Sequence, residues 1–303
     1  MASSSVHRGR AFAPAHVSGI FVPRVEARDP RRRGSIGAGL VLTAGVTATV
    51  AWRPSRRSSV LLSADRPGEF PISSDVARRL AGARPGSLEV HLAHDLPIGQ
   101  GFGSSAAGAL ATALATAEAL AVPRRKAVET AHLADLFGGG GLGGVAAILG
   151  GGLEVRVRPG VPPFGRVVRT PVDRALLVGT VGPPIRSAGV LRDPGRLARF
   201  AAGAPILQRL GADPTWDAFW SASERFTLAV RLAPPRLDHV LRGLRRRGAR
   251  AAQAMFGRSF FAAPPGDERD REVVRWLRRG GVRLRELRVA RSGARVLRPA
   301  REA

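Results

Sequence analysis

The stretch that decides the fold is Pro97-Ile98-Gly99-Gln100-Gly101-Phe102-Gly103-Ser104-Ser105-Ala106-Ala107-Gly108. Residues 88–92, just before it, alternate apolar and polar side chains, which is the period of a half-buried β-strand. Residues 104–121 are mostly Ala, Leu, Thr and Ser without proline, and they open with two hydroxyl residues suited to a helix N-terminus. The pattern therefore predicts a strand, a glycine loop and a long helix in succession.

A loop of this kind is suited to an anion. Glycines let the backbone approach a ligand closely, and the free N–H groups and positive dipole at a helix N-terminus favour negative charge. The chain has neither the lysine of a Walker loop nor the G-x-G-x-x-G spacing of a dinucleotide-binding loop. We therefore predict a nucleotide-phosphate loop of another type. The alternative is a glycine-rich turn whose helix is capped by Ser104 or Ser105.

The loop resembles the second motif of the GHMP kinase superfamily, and its Gly-Phe-Gly-Ser-Ser-Ala-Ala-Gly form is most similar to the archaeal pantoate kinase family. Further segments similar to that family follow the family's order along the chain: 12–21, 29–39, 141–143, 182–187 and 255–262. The resemblance extends from about residue 11 to about residue 290. It implies the ATP-dependent phosphorylation of pantoate to 4-phosphopantoate, a step of archaeal coenzyme A biosynthesis.

Strand and helix patterns, among them a strand at 153–158 and helices at 124–137 and about 193–210, are mixed without regular βαβ repetition, which favours an α+β fold. The resemblance implies a GHMP-kinase-like fold of two domains with the active site in the cleft between them. We expect a flexible leader at residues 1–10, an N-terminal ATP-binding domain at 11–160 and a C-terminal α+β domain at 161–303. The Pro- and Gly-rich residues 159–165 suggest the boundary.

Composition excludes several classes of protein and of site. The chain has 303 residues, of which 44% are hydrophobic, so it can form real cores. It has no cysteine, which excludes disulfides and thiolate metal sites. No apolar run reaches the ~18 residues of a membrane span, and no signal-peptide pattern is visible. We expect a cytoplasmic protein that does not associate with membranes.

The strong positive charge raises the question of nucleic-acid binding. The formal net charge is +25, and of the 48 basic residues only Lys126 is a lysine. Such charge attracts phosphate backbones, but aromatic residues make up only 5% and tyrosine is absent, so stacking platforms are scarce. A GC-rich coding bias also accounts for abundant Arg, Ala and Gly. We expect no specific nucleic-acid partner, and a homodimer stays open as the oligomeric state.

The resemblance implies ATP and Mg²⁺ as cofactors and assigns residues to them. The expected nucleotide-binding residues all lie in the decisive stretch: Pro97, Gly99, Gly101, Phe102, Gly103, Ser104, Ser105 and Ala106. Ser105 and Asp135 are the expected metal ligands, and Asp135 stands where the family usually has a glutamate. The alternative for Asp135 is a solvated helix residue. Asp135 and Ser187 are the expected catalytic residues.

The resemblance also implies the contacts with pantoate. Arg156 matches the family's substrate-binding arginine, and a bidentate guanidinium suits a carboxylate. Ser187 stands where the family has a threonine that contacts the substrate, and His16 is a further candidate. The alternative for Arg156 is an exposed residue of a strand that covers 153–158.

The chain departs from the family pattern at several positions. The family's catalytic aspartate is replaced by Gly144, its neighbouring threonine by Gly140, an arginine by Ile36 and a lysine by Ala188. General-base assistance is typically worth ~10²–10⁴-fold in rate. The second hypothesis is therefore a catalytically weak or inactive homologue that binds nucleotide and acts through a partner.

Overall fold

The computed structural model describes residues 6–185, 189–190 and 193–298. Within these residues the strands are β1 (His7–Arg24), β2 (Gly34–Pro54), β3 (Ser59–Ala64), β4 (Gly86–His94), β5 (Leu153–Arg158), β6 (Arg166–Thr170), β7 (Ala175–Thr180), β8 (Arg250–Gln253), β9 (Ser259–Ala263), β10 (Arg283–Arg288) and β11 (Arg295–Val296). The α-helices are α1 (Pro71–Ala81), α2 (Ser104–Ala119), α3 (Arg124–Phe137), α4 (Gly144–Ala147), α5 (Pro194–Phe200), α6 (Gly203–Ala212), α7 (Trp216–Val230), α8 (Pro235–Arg246) and α9 (Arg269–Arg279), and a short 3₁₀ helix covers Pro30–Arg32. The predicted α+β fold is confirmed.

The first sheet is organised around β2. Its strand order is β11-β1-β2-β4-β3, and β5 pairs with β2 on one side and with β6 on the other. The first part of β2 pairs with β5 and the second part pairs with β4, so that two neighbours share one edge of this 21-residue strand. Only β3 and β4, which α1 connects, run parallel. The sheet thereby brings β1, β2 and β5 together below the glycine loop.

The alanine-rich helix α2 lies at the centre of the N-terminal half. It packs on the first sheet together with α1 and α3, and nearly all of its side chains are buried. Small side chains allow a close approach, because a Cβ at Gly9 of β1 would lie only 2.0 Å from the carbonyl oxygen of Ala115. Helix α2 is therefore held close to the sheet.

The two halves of the molecule share one apolar core. The second sheet has the order β10-β7-β9-β8, and α8 and α9 cover one of its faces. On its other face, Phe219, Trp220 and Phe226 of α7 pack in a cluster that also contains Ile20 of β1 and Leu40 of β2. This continuity fixes the position of the second half relative to the first sheet.

The structure corrects two of the predicted boundaries. Residues 7–10 are not a leader, because they pair with residues 49–52 of β2 as the first part of β1. The boundary at residue 160 is also wrong: β6 pairs with β5, and β11 returns from the end of the chain to pair with β1. Both strands complete the first sheet, where backbone pairing is available to them. None of the helices in the described part of the chain has the length and apolar character to cross a membrane.

Candidate active site

The glycine loop has the conformation that the sequence predicts. It connects β4 to α2, and Gly99, Gly101 and Gly103 have φ values of +71°, +77° and +69°, a region that L side chains rarely adopt. Backbone N–H groups from both halves of the molecule hold it: Ile185 donates to Gly99 O at 2.8 Å, and His16 donates to Phe102 O at 3.0 Å. The loop is thus fixed from two sides.

No side chain caps the N-terminus of α2. Gly103 is the capping residue, and no side-chain oxygen accepts a hydrogen bond from the first turn. Ser105 Oγ donates instead to Asp135 Oδ1 at 2.8 Å. The alternative in which Ser104 or Ser105 caps the helix is therefore wrong. The N–H groups of the first turn lack intrahelical partners and present a dipole end suited to a phosphate.

Asp135 lies on the last turn of α3 and is not a solvated residue. Its side chain is 2% exposed. Burial raises the pKa of this carboxyl to about 7, against the hydrogen bonds from Ser105 and from the backbone of Gly141, which lower it. Ser105 is exposed, so the pair connects a buried carboxyl to the surface at the start of α2.

The surroundings of this pair fit a magnesium ion bound together with a nucleotide. A Cβ at Gly140 would lie 1.9 Å from Asp135 Oδ1 and 2.7 Å from Ser105 Oγ, so glycine at 140 keeps both oxygens clear of a side chain. Mg²⁺ is usually bound through one or two carboxylates plus substrate phosphates and waters. Consistently, the described residues contain no group of three or more His, Asp or Glu side chains that could hold a metal by themselves.

Arg156 is buried inside the first sheet. It is 1% exposed, so the alternative of an exposed strand residue is wrong. Its Nη1 donates to Glu154 Oε1, while its Nε and Nη2 are buried without a hydrogen-bond partner. A Cβ at Gly143 would lie 2.9 Å from Nε, which places the guanidinium beside the loop that also contains Gly140. Two N–H groups are left for an anionic ligand at this loop.

The ring nitrogens of His16 face side chains of the first sheet. Its Nε2 lies 2.8 Å from Glu154 Oε1, Ser18 Oγ lies 3.5 Å from Nδ1, and the side chain is 4% exposed. Burial lowers the pKa of His16, although the hydrogen bond and charge of Glu154 oppose that shift. The imidazole is thus used inside the sheet, and the predicted contact of His16 with the substrate stays a prediction.

Sequence reasoning missed Glu154 and Ser35. Glu154 is fully buried and accepts from both His16 and Arg156, and its Oε2 has no partner. Ser35 is 1% exposed, its Oγ is also unpartnered, and a Cβ at Gly143 would lie 2.2 Å from it. The sequence did contain a signal for Glu154. Side chains two residues apart in a strand lie on the same face, so Glu154 had to lie beside Arg156.

The remaining predicted nucleotide contacts differ in accessibility. The ring of Phe102 is 1% exposed and packs in the core shared by the two halves, so it anchors the loop. Only the backbone of Phe102 is available for a contact with a ligand. Ala106 is 2% exposed in the first turn of α2, and Pro97 is half-buried at the start of the loop. Ser187 and Ala188 lie outside the described residues.

Gly144 begins α4 and faces the first turn of α2. A Cβ at Gly144 would lie 2.5 Å from the Cβ of Ala106, which is too close for two helix positions. Ile36, another departure from the family pattern, packs against the shared core. Glycine at 144 therefore leaves free the space that the side chain of Ala106 needs.

A cationic cavity adjoins the loop on the side of the second half. It has a volume of about 410 Å³ and reaches Ile185, the residue whose N–H holds Gly99. Four arginines contribute to its lining: Arg196, Arg199, Arg231 and Arg258. Their charge suits an anionic small molecule.

Comparison with known proteins agrees with this arrangement. The family model for the GHMP kinases N terminal domain matches residues 72–152, which extend from α1 to β5 and include the glycine loop. A pantoate kinase from Thermococcus kodakarensis is 32% identical over 270 residues, covering 86% of this chain and 89% of that protein. A pantoate kinase from Methanospirillum hungatei is 31% identical over 262 residues, covering 84% and 87%.

A solved structure supports the same relationship. The "Phosphotransferase related to CoA biosynthesis pathway" superposes with a TM-score of 0.86 at 27% identity, covering 97% of this chain and 99% of that chain. Because 97% of this chain is covered, the match includes both halves of the molecule and the glycine loop. The chain belongs to the pantoate kinase family of the GHMP kinases.

Proposed function

We propose that this chain transfers the γ-phosphoryl group of ATP to pantoate and forms 4-phosphopantoate, the substrate of a later step in coenzyme A synthesis. The observation that carries this proposal is one loop, residues 140–143, which touches two chemically different groups. Gly140 lies against the Ser105–Asp135 pair, and Gly143 lies against the buried guanidinium of Arg156. The residues proposed for the phosphates and the metal are therefore adjacent to the residue proposed for the carboxylate.

The nucleotide half consists of the glycine loop and the start of α2. The backbone N–H groups around Gly101, Gly103 and Ser104 are proposed to hold the phosphates, since three positive-φ glycines keep side chains away from them. Ser105 Oγ and the Asp135 carboxylate are proposed to hold Mg²⁺. When bound, the ion supplies charge neutralisation on the phosphates.

The substrate half consists of Arg156 and its neighbours. The free Nε and Nη2 of Arg156 are proposed to donate to the pantoate carboxylate, and Ser35 Oγ lies at the same loop for a further hydrogen bond. Ser187 remains a proposed contact from the second half. A charge-assisted bidentate pair fixes both the position and the orientation of a carboxylate.

The chemistry requires an acceptor hydroxyl in line with the γ-phosphorus. The hydroxyl oxygen forms the new P–O bond, the bond to the β–γ bridging oxygen breaks, and ADP leaves. Most of the catalysis of phosphoryl transfer is positioning and electrostatics. Because Gly144 carries no side chain, Asp135 is the proposed group that orients the hydroxyl and receives its proton.

A coupled ADP-release assay with Mg²⁺ across pantoate, mevalonate, homoserine and galactose tests this proposal. Turnover with pantoate above the other three acceptors is the expected result. The second candidate function, a nucleotide-binding homologue that acts through a partner, follows from Gly144. It would be favoured by tight ATP binding without turnover of any acceptor. A cytoplasmic location, the homodimer and the absence of a specific nucleic-acid partner stay predictions of the sequence.

A further inference from the structure

We propose that His16 is a positioning residue that couples the nucleotide loop to Arg156, so that ATP and pantoate bind cooperatively. This inference rests on the proposed function, because it takes Arg156 to bind the substrate carboxylate. It assigns to one side chain the communication between the two halves of the site. The argument has three links, each of them a contact of the described residues.

The first link is the backbone of His16. Its N–H donates to the carbonyl oxygen of Phe102 at 3.0 Å, inside the glycine loop. A Cβ at Gly103 would lie 3.4 Å from the N, O and Cβ atoms of His16, so loop and strand are in van der Waals contact. The pairing of β1 with β2 shifts register on both sides, between Pro14 and His16 and again after Ser18. Such bulges re-aim a strand locally.

The second link is the side chain of His16. His16 Nε2 lies 2.8 Å from Glu154 Oε1, within hydrogen-bond distance. The same oxygen accepts from Arg156 Nη1. Glu154 has no other side-chain partner among the described residues, and its Oε2 is unpaired. The position of this carboxylate, and through it that of the guanidinium, therefore depends on His16.

The third link is a pair of glycines in β2, whose missing side chains leave space for these contacts to cross the sheet. His16 lies on β1 and Arg156 on β5, and β2 runs between them. A Cβ at Gly39 would lie 2.3 Å from His16 Nε2, and a Cβ at Gly37 would lie 2.5 Å from Arg156 Nη2. The side chains fill the space that these glycines leave open. Both side chains pack against the backbone of β2 and are joined through Glu154, so a displacement of one is passed to the next.

The consequence is a reciprocal effect between the two ligands. A phosphate bound at the glycine loop would restrain the loop further and, through these contacts, His16 and Arg156, so that the carboxylate site is better ordered for pantoate. Coupling between two binding sites must be equal in both directions. The contacts at β1, β2 and β5 thus predict that saturating pantoate tightens nucleotide binding by the same factor as the nucleotide tightens pantoate binding.

Calorimetry on the full chain tests this with Mg²⁺ and a non-hydrolysable ATP analogue, titrated with and without saturating pantoate. We expect a coupling factor of at least about fivefold in the unmodified protein, at the lower end of typical values. His16→Ala should bring the factor close to one. His16→Gln should restore most of it, because the glutamine amide can donate to Glu154 from a similar distance. A coupling factor that is the same in His16→Ala and in the unmodified protein would overturn the proposal, as would no coupling in the latter.

The matched control is His94→Ala. His94 is another buried histidine of the same sheet, with Nδ1 at 3.2 Å from Asp65 Oδ1, but it has no contact with Glu154. Its replacement should lower stability and leave the coupling factor unchanged. Should His16→Ala fail to fold, the isosteric Glu154→Gln carries the test and is expected to reduce the factor at least about twofold, since a neutral acceptor holds the guanidinium less tightly.

Failure of the proposed function has a different signature. Arg156→Ala should weaken pantoate binding and leave nucleotide binding measured without pantoate unchanged, whereas His16→Ala should remove the effect of each ligand on the affinity for the other. If Arg156→Ala leaves pantoate binding intact, the substrate assignment is wrong. If Arg156→Ala acts as expected and His16→Ala leaves the effect of each ligand on the other in place, the assignment stands and the coupling through His16 is wrong.

Discussion

Ser105 Oγ donates a hydrogen bond of 2.8 Å to Asp135 Oδ1, and this contact joins the first turn of α2 to the last turn of α3. The acceptor is a buried carboxyl whose pKa burial raises to about 7. No arginine contacts it in the described residues, although 48 basic residues are present in the chain. When no cation is bound, the Asp135 carboxyl therefore keeps its proton to a much higher pH than an ordinary aspartate does.

This carboxyl predicts how stability depends on pH when neither Mg²⁺ nor nucleotide is bound. A pKa raised from 3.8 to about 7 means that the folded state binds the proton more tightly than the unfolded state. The contribution of Asp135 to the free energy of unfolding is therefore complete below pH 3.8 and is lost as pH rises towards 7. The slope is at most about 1.4 kcal/mol per pH unit.

Denaturant unfolding across this pH range, in the presence of a chelator, compares the unmodified protein with Asp135→Asn. Other groups titrate in both proteins, so the difference between the two curves isolates Asp135. As pH rises, we expect the free energy of unfolding of the variant to increase relative to that of the unmodified protein. Parallel curves would show that Asp135 is hydrated and unshifted.

Replacement of Gly103 by valine should weaken ATP binding at least about tenfold. The residue has φ of +69°, where a β-branched side chain is strained, and its Cβ would meet the backbone of His16 at 3.4 Å. Calorimetry with MgATP on folded protein measures the effect. Gly82→Val is the control, because Gly82 also has a positive φ of +59° but ends α1 in open space. Equal affinities in all three proteins would exclude the loop from the nucleotide site.

Arg156→Lys should lower kcat/KM for pantoate by roughly ten- to a hundredfold, the value of a charged hydrogen bond of about 1.5–3 kcal/mol. Lysine keeps the positive charge beside the buried Glu154 and so limits unfolding, but it lacks the fork that holds a carboxylate. The apparent affinity for ATP should change little. Arg53→Lys is the control, since Arg53 pairs with Glu89 at 2.9 Å on the exposed part of the same sheet. Unaltered pantoate kinetics would leave Arg156 with a structural role only.

Restoring an aspartate at position 144 requires a second change. Gly144→Asp alone should destabilise the protein, because its Cβ would lie 2.5 Å from that of Ala106. The double variant Gly144→Asp/Ala106→Gly removes this contact at a cost of about 0.5–1 kcal/mol for a glycine inside a helix. We expect a gain in kcat with pantoate of ~10²-fold if the missing orienting carboxylate limits the rate.

The single variant Ala106→Gly controls for the helix itself. A double variant no faster than this control, combined with a rapid unmodified enzyme, would show that another residue, with Asp135 as the first candidate, already orients the hydroxyl. If no protein of the set turns over pantoate although each binds ATP, the kinase function itself is refuted.

Local patterns in the sequence predicted the elements that carry their own signals. The helix predicted at 124–137 has those bounds in the structure, and the strand predicted at 153–158 does as well. Both have clear periods and sharp ends, a proline before the helix and glycines after it. By contrast, a helix predicted at 193–210 is divided into α5 and α6, which are separated at Ala201 and Ala202. No local signal marks that break.

The site was only partly visible for a physical reason. The loop glycines and the Ser105–Asp135 pair follow from motif spacing, whereas Glu154 and Ser35 act through contacts between strands distant in sequence. The abundance of arginine also left an exposed position open as the alternative for Arg156. Its burial depends on Gly37 and Gly143, whose missing side chains make space that only the folded sheet reveals.

The pairing of β11 with β1 has a consequence for biosynthesis. Ala11 lies opposite Val296 and Phe12 opposite Arg295, so nearly the whole chain separates the partners. On the ribosome, the outer edge of β1 at residues 11 and 12 stays open until residue 296 has emerged, long after β4, the strand before the glycine loop, could have paired with β2. A contact of such high sequence separation closes slowly, and an unpaired edge strand can pair with another chain in the interval. Nascent copies on one messenger are therefore exposed to each other along β1 for most of their synthesis.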